Sequence, residues 1–105
     1  MNGTATLTAE QRQAALAKAA EARTARSALL RALKAGETKL ADVLSEADAG
    51  DEIVKKTKVL AVVKALPGIG DVRARQLIEQ AEIAESRRVG GLGQRQREAL
   101  LAAVS

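Results

Sequence analysis

Leu66-Pro67-Gly68-Ile69-Gly70-Asp71-Val72-Arg73-Ala74-Arg75-Gln76-Leu77-Ile78 joins an apolar run, through a proline-glycine turn, to a segment with arginines in its first two turns. Pro67 has no amide to donate and restricts the residue before it, so whatever precedes must end there. What precedes is Val59-Leu60-Ala61-Val62-Val63-Lys64-Ala65-Leu66, opened by Thr57 or Lys58. Its β-branched residues favour a strand, but period-two alternation is missing and helix is the better reading. Beyond the turn a second helix is expected from Asp71 to about Ala81, with Val72, Leu77 and Ile78 facing inward. Two helices meeting at a tight turn set the expectation of an all-α chain.

Working toward the N-terminus, Thr8-Ala9-Glu10-Gln11 has the spacing of a capping box, and nothing breaks the helix from Ala9 to Ala35 until Gly36. Such a rod would be roughly 40 Å long. Leu16 is the one large apolar residue of its first half, whereas Leu29, Leu30 and Leu33 crowd the end. The first half is therefore expected to project from the body or to fray. Thr38 is expected to cap a short helix over Lys39–Leu44, Ala49-Gly50-Asp51 to turn, and Glu52–Lys56 to form one more helical turn. Toward the C-terminus, Ser86 caps a brief turn, Gly90, Gly91 and Gly93 form a loop around Leu92, and Gln94–Val104 makes a last helix edged by Leu100, Leu101 and Val104. The reading is five or six helices in two parts: a basic N-terminal arm over 1–36 and a helical body over 37–105.

Composition narrows the function. A chain of 105 residues buries only about two-thirds of its unfolded surface, so the core is modest. With no Phe, Tyr or Trp, base stacking of the OB-fold or RRM kind is excluded. With no Cys and no His, thiol chemistry, ordinary zinc sites and histidine catalysis are excluded too. Lack of cysteine fits a cytoplasmic setting. The polar Asn2-Gly3-Thr4 start offers no signal peptide, and no window reaches the length of a membrane span. The net charge of +4 is unevenly spread: +4 over residues 1–35, −2 over 36–58, 0 over 59–84 and +2 over 85–105. Basic ends around an acidic middle suit a clamp on a polyanion.

The first turn has a functional and a structural reading. Gly68 and Gly70 remove Cβ atoms from a bend beside a helix N-terminus, where backbone amides attract phosphate, and Arg73 and Arg75 stand next to it. Alternatively the glycines only make the bend, Ile69 plugs the core and Asp71 is a helix cap. Pro67 and Ile69 could also form an aliphatic wedge at a base step, though packing inside the hairpin is the simpler role. The second motif, Ser86-Arg87-Arg88-Val89-Gly90-Gly91-Leu92-Gly93-Gln94-Arg95, places two arginines to enter a minor groove or grip phosphates, with the Gly93 and Gln94 amides as a further anion site; its plain reading is a solvated surface loop. On the N-terminal helix Arg12, Arg23, Arg26 and Lys34 fall on one side, as a possible second DNA surface or a solvated face. Asp42, Glu46, Asp48, Asp51 and Glu52 lack the spacing of a calcium loop and read as a solvated acidic face.

Two glycine turns, each leading into a helix, resemble a helix-two-turn-helix module. Lys58-Val59 through Leu66-Pro67-Gly68-Ile69-Gly70, Arg73-Ala74, Ser86-Arg87-Arg88 and Gly91-Leu92-Gly93 together look like the actinobacterial integration host factor family, as does the opening Leu7-Thr8 with Glu10-Gln11-Arg12 and Ala14-Ala15-Leu16. The resemblance spans nearly the whole chain. It implies non-specific or shape-directed binding of double-stranded DNA in the nucleoid, DNA compaction and support of phage integration. It also implies DNA contact at Pro67–Gly70 and at Arg87 and Arg88. The chain departs from the family pattern at Asp71, where a lysine is usual, and at Gly90, where a third arginine is usual. Both changes remove positive charge.

The expected partner is thus duplex DNA, met at its phosphate backbone and minor groove by a monomer, without membrane, small-molecule substrate, cofactor, metal or catalysis. No nucleophile–base pair can be assembled from these residue types. Two other readings stand beside it: an RNA- or ribosome-associated helical protein, and a protein-interaction adaptor built on the long helix.

Overall fold

The computed structural model describes residues 7–104, so Asn2-Gly3-Thr4 lies outside the described residues. The first helix, α1 (Ala9–Lys34), starts as its sequence dictates: the Thr8 hydroxyl accepts from the Gln11 amide at 3.0 Å, and the Gln11 side chain accepts from the Thr8 amide at 2.9 Å. It stops where Gly36 takes φ +78°, and the amides of Gly36 and Glu37 close back on the carbonyls of Leu33 and Ala32. Every residue from Ala9 to Glu21 is exposed, Leu16 at 66%. Only Leu33 is fully buried, with Leu29 and Leu30 packed against the core. The first half of α1 therefore projects.

Four further helices and a 3-10 turn follow before the last helix: α2 (Leu40–Asp48), α3 (Glu52–Lys56), α4 (Val59–Ala65), α5 (Asp71–Gln80), the 3-10 turn Val89–Gly91, and α6 (Gln94–Val104). Helix wins over strand at Val59–Ala65, where Val59, Val62 and Val63 lie on one buried face at helical spacing. Three local expectations need correction. Thr38 does not cap α2. That helix begins at Leu40, with the Asp42 carboxylate reaching back to the Lys39 amide at 3.0 Å, and it runs on to Asp48. Val72 does not face inward. It is 70% exposed because α5 buries Ala74, Leu77, Ile78 and the following Ala81 at i, i+3, i+4, i+7, a stripe that leaves position 72 outside. Asp71 is not the N-cap of α5, a place taken by Gly70.

The core gathers Leu40, Val43, Leu44, Val54, Ile83, Val89, Leu92 and Leu100 with the faces of α4 and α5. Aliphatic side chains and alanines fill it without a ring. Thr57 is its one buried polar residue among those described, and it satisfies its hydroxyl by donating to the Ile53 carbonyl at 2.7 Å. α5 closes with Glu82 at φ +59°, a left-handed cap with no glycine: the amides of Glu82 and Ile83 bond the carbonyls of Glu79 and Ile78. The acidic middle of the chain is largely structural. Asp51 caps α3 through the Ile53 and Val54 amides, and Asp48 takes both Arg97 nitrogens of α6 at 2.7 and 2.8 Å.

Candidate nucleic-acid interface

The first turn is built by Leu66-Pro67-Gly68-Ile69. Pro67 occupies the position its ring favours, Gly68 takes φ +77°, and the Ile69 amide donates to the Leu66 carbonyl at 3.1 Å, the pattern of a type II turn. Ile69 is half-buried and packs on the core, while Pro67 and Gly68 are exposed. Gly70 is different. Its backbone is extended, and a Cβ there would meet nothing within 4 Å, so no internal contact demands a glycine. Its missing side chain leaves the start of α5 open from outside. Gly70 caps that helix with no side-chain acceptor, so the amides of the first turn of α5 have no capping partner from it.

Charge around this turn is balanced by pairs. Asp71 holds Lys64 at 3.3 Å and Arg75 at 3.1 Å, and Arg75 also reaches Glu85 at 2.7 Å. Arg75, followed by Lys64, keeps the Asp71 carboxyl below its ordinary range, and Asp71 with Glu85 pushes Arg75 up. Arg73 is exposed and forms no ion pair among the described residues.

The second turn is stitched to the start of α4. Lys58 and Arg88 form an antiparallel bridge, the Val59 amide donates to the Arg87 carbonyl at 3.0 Å, and the Val89 amide donates to the Thr57 carbonyl at 2.9 Å. Buried Val89 and Leu92 anchor it below. Arg87 and Arg88 stay exposed, their guanidinium groups donating to the carbonyls of Gly91 and Lys56. Ser86 is exposed, and the turn it was expected to cap closes instead by the Arg87 amide on the Ala84 carbonyl. At Gly90 a Cβ would lie 3.0 Å from Lys55 Cβ and 3.2 Å from its carbonyl oxygen, so a side chain there needs Lys55 to shift by a few tenths of an ångström. At the start of α6 the Gly93 amide is already taken by the Gln96 side chain at 3.0 Å. The Gln94 amide lies in the first helical turn, which has no intrahelical acceptor. Arg95 is exposed, and the Gln94 side chain pairs with Glu98.

The two turns sit at opposite ends of α4, whose seven residues span roughly 10 Å. A duplex carries about one phosphate per 1.7 Å of axis, so roughly six fall within that span. The basic side of α1 divides. Lys34 lines a groove of about 750 Å³ together with Leu30, Lys64 and Pro67 through Gly70, beside the first turn. Arg26 instead lies half-buried in the groove between α1 and α3, near Lys56, with its Nε buried and unpartnered among the described residues. Arg12 and Arg23 are exposed along the rod. Sequence reasoning passed over Lys64, although its place three residues before Pro67 sets it on the last turn of α4, at the lip of the bend.

These turns, each opening into a helix, define a helix-two-turn-helix protein: the family described as S13-like H2TH domain matches residues 33–104. Over 95 residues the chain is 53% identical to the protein named Integration host factor of Mycobacterium tuberculosis, covering 90% of each. The Mycolicibacterium smegmatis protein of the same name gives the same identity and coverage, and that of Streptomyces coelicolor is 47% identical over 90 residues, covering 86% of this chain and 83% of its own. A solved structure of sIHF bound to an 8 bp palindromic DNA superposes with a TM-score of 0.80 at 39% identity, covering 84% of this chain and 98% of that one. The chain belongs to the integration host factor family. Among the described residues no helix is long and apolar enough to cross a membrane.

Proposed function

We propose that this chain is an architectural protein of the nucleoid that grips duplex DNA by its phosphates, with weak sequence preference, and bends or compacts it. The observation that carries the reading is the DNA-bound structure of a relative whose fold overlaps 84% of the chain. The geometry supports it: two exposed bends at the ends of α4, a start of α5 with no side-chain cap, and Arg73, Arg87, Arg88 and Arg95 exposed. Pro67, Gly68, Gly70 and Ser86 frame the contact surface, and Lys34 extends it from α1. The relatives' name adds support for site-specific integration as a role. The protein acts as a binder in the cytoplasm, not as a catalyst.

The test is fluorescence anisotropy of a random-sequence 20 bp duplex over a salt series. Contact with about five phosphates gives a log–log slope near −4 to −5. No binding in dilute buffer, or a preference for structured RNA in direct competition, overturns the proposal.

A further inference from the structure

Resting on that reading, we infer that Asp71 sets the affinity of the first turn: its carboxylate is an internal counter-anion that an incoming phosphate must displace to reach Lys64 and Arg75. Asp71 is the first residue of α5, directly after the open Gly70 bend, so its charge stands where the helix end would draw an external anion. Its two oxygens are divided, Oδ1 toward Lys64 Nζ at 3.3 Å and Oδ2 toward Arg75 Nε at 3.1 Å. All these side chains are about half exposed, between 46% and 53%, and exposed pairs of this kind exchange readily. The two cations are held unequally. Arg75 has a second anchor in Glu85 at 2.7 Å, whereas Asp71 is the only ion-pair partner of Lys64 among the described residues. Lys64 also lines the groove that contains the turn and Lys34, so once unpaired it adds to the charge there.

This inequality gives a graded signature that bulk charge would not produce. Losing Asp71 frees Lys64 and leaves Arg75 on Glu85. Losing Glu85 leaves Arg75 on Asp71 and frees nothing. Losing both frees two cations.

The experiment measures binding of the random-sequence duplex over a salt series by the unaltered chain, Asp71→Asn, Glu85→Gln and the double variant. Asp71→Asn is expected to steepen the log–log slope by about 1 and to raise affinity on the order of 5- to 10-fold at 0.1 M salt. Glu85→Gln alone stays within about twofold at unchanged slope, and the double variant steepens the slope by about 2. Lys64→Gln, added to Asp71→Asn, should abolish the gain that Asp71→Asn gives in affinity and slope. Equal and additive effects of the two carboxylate changes would mean that net charge alone matters, and the inference would fall while the DNA reading stands. An unchanged slope in Asp71→Asn also overturns it. Failure of the unaltered chain to bind removes the DNA reading and this inference together.

Discussion

At the first turn Lys64 and Arg75 rest on carboxylates, Asp71 and Glu85; at the second, Arg87 and Arg88 rest on the backbone carbonyls of Gly91 and Lys56. A carboxylate cancels the charge it holds, whereas a carbonyl only orients it. The same backbone device, a glycine bend leading into a helix, is therefore loaded differently: among the described residues neither Arg87 nor Arg88 of the second turn has a carboxylate partner, whereas beside the first turn Lys64 and Arg75 are paired and only Arg73 is not. Anchoring differs as well. Val89 and Leu92 are buried beneath the second turn, while Ile69 is half-buried beneath the first. The contrast teaches that the second turn supplies charge and the first supplies shape.

The largest expected effect concerns anchoring. Leu92→Ala should cost about 2–5 kcal/mol of stability in denaturant unfolding, as buried leucines do, and Ile69→Ala clearly less. Equal losses would erase the difference in seating. Next is charge: Arg87→Ala combined with Arg88→Ala should weaken duplex binding on the order of 10- to 100-fold and flatten the salt slope by about 2, while Arg75→Ala changes binding within about threefold. The melting temperature of the double variant should move little, because the backbone bridge to Lys58 needs neither side chain. Shape follows. Gly68→Ala forces a side chain into φ +77° and should cost about 1 kcal/mol, whereas Gly70→Ala, extended and uncrowded, should leave the melting temperature unchanged and weaken binding instead.

The smallest effect is acid sensitivity. Arg97 lowers the pKa of Asp48, and Arg75 with Lys64 lowers that of Asp71, both below the ordinary 3.8. Groups with depressed folded pKa values stabilise above their unfolded value and lose that contribution as pH falls through the folded one. Melting temperature should therefore hold level from neutral pH to about 4.5 and decline below 3.8, with Asp71→Asn and Asp48→Asn each flattening the decline. The second turn, resting on carbonyls, should contribute nothing to that acid response.

Much of this was legible in the sequence because the signals were local. Thr8 with Gln11, Gly36, Gly50 and Pro67 mark ends by their own chemistry, and the valine spacing in Val59–Ala65 shows which face is buried. The misses had non-local or unusual causes. Val72 is as apolar as Leu77, and only the packing of Ala74 and Ile78 against α4 and the core shows that it lies outside. The two turns were visible as bends, but the carboxylates that quiet Arg75 come from Asp71 four residues before it and from Glu85 ten residues after it. Arg26 looked like its helical neighbours until α3 was found packed beside it.

The decisive measurement is the salt dependence of duplex binding by the unaltered chain set beside that of the Arg87→Ala, Arg88→Ala variant. A slope near −4 to −5 that flattens by about 2 in the variant is the expected result. Identical slopes for the two proteins, or no salt dependence at all, would contradict a phosphate grip centred on these turns.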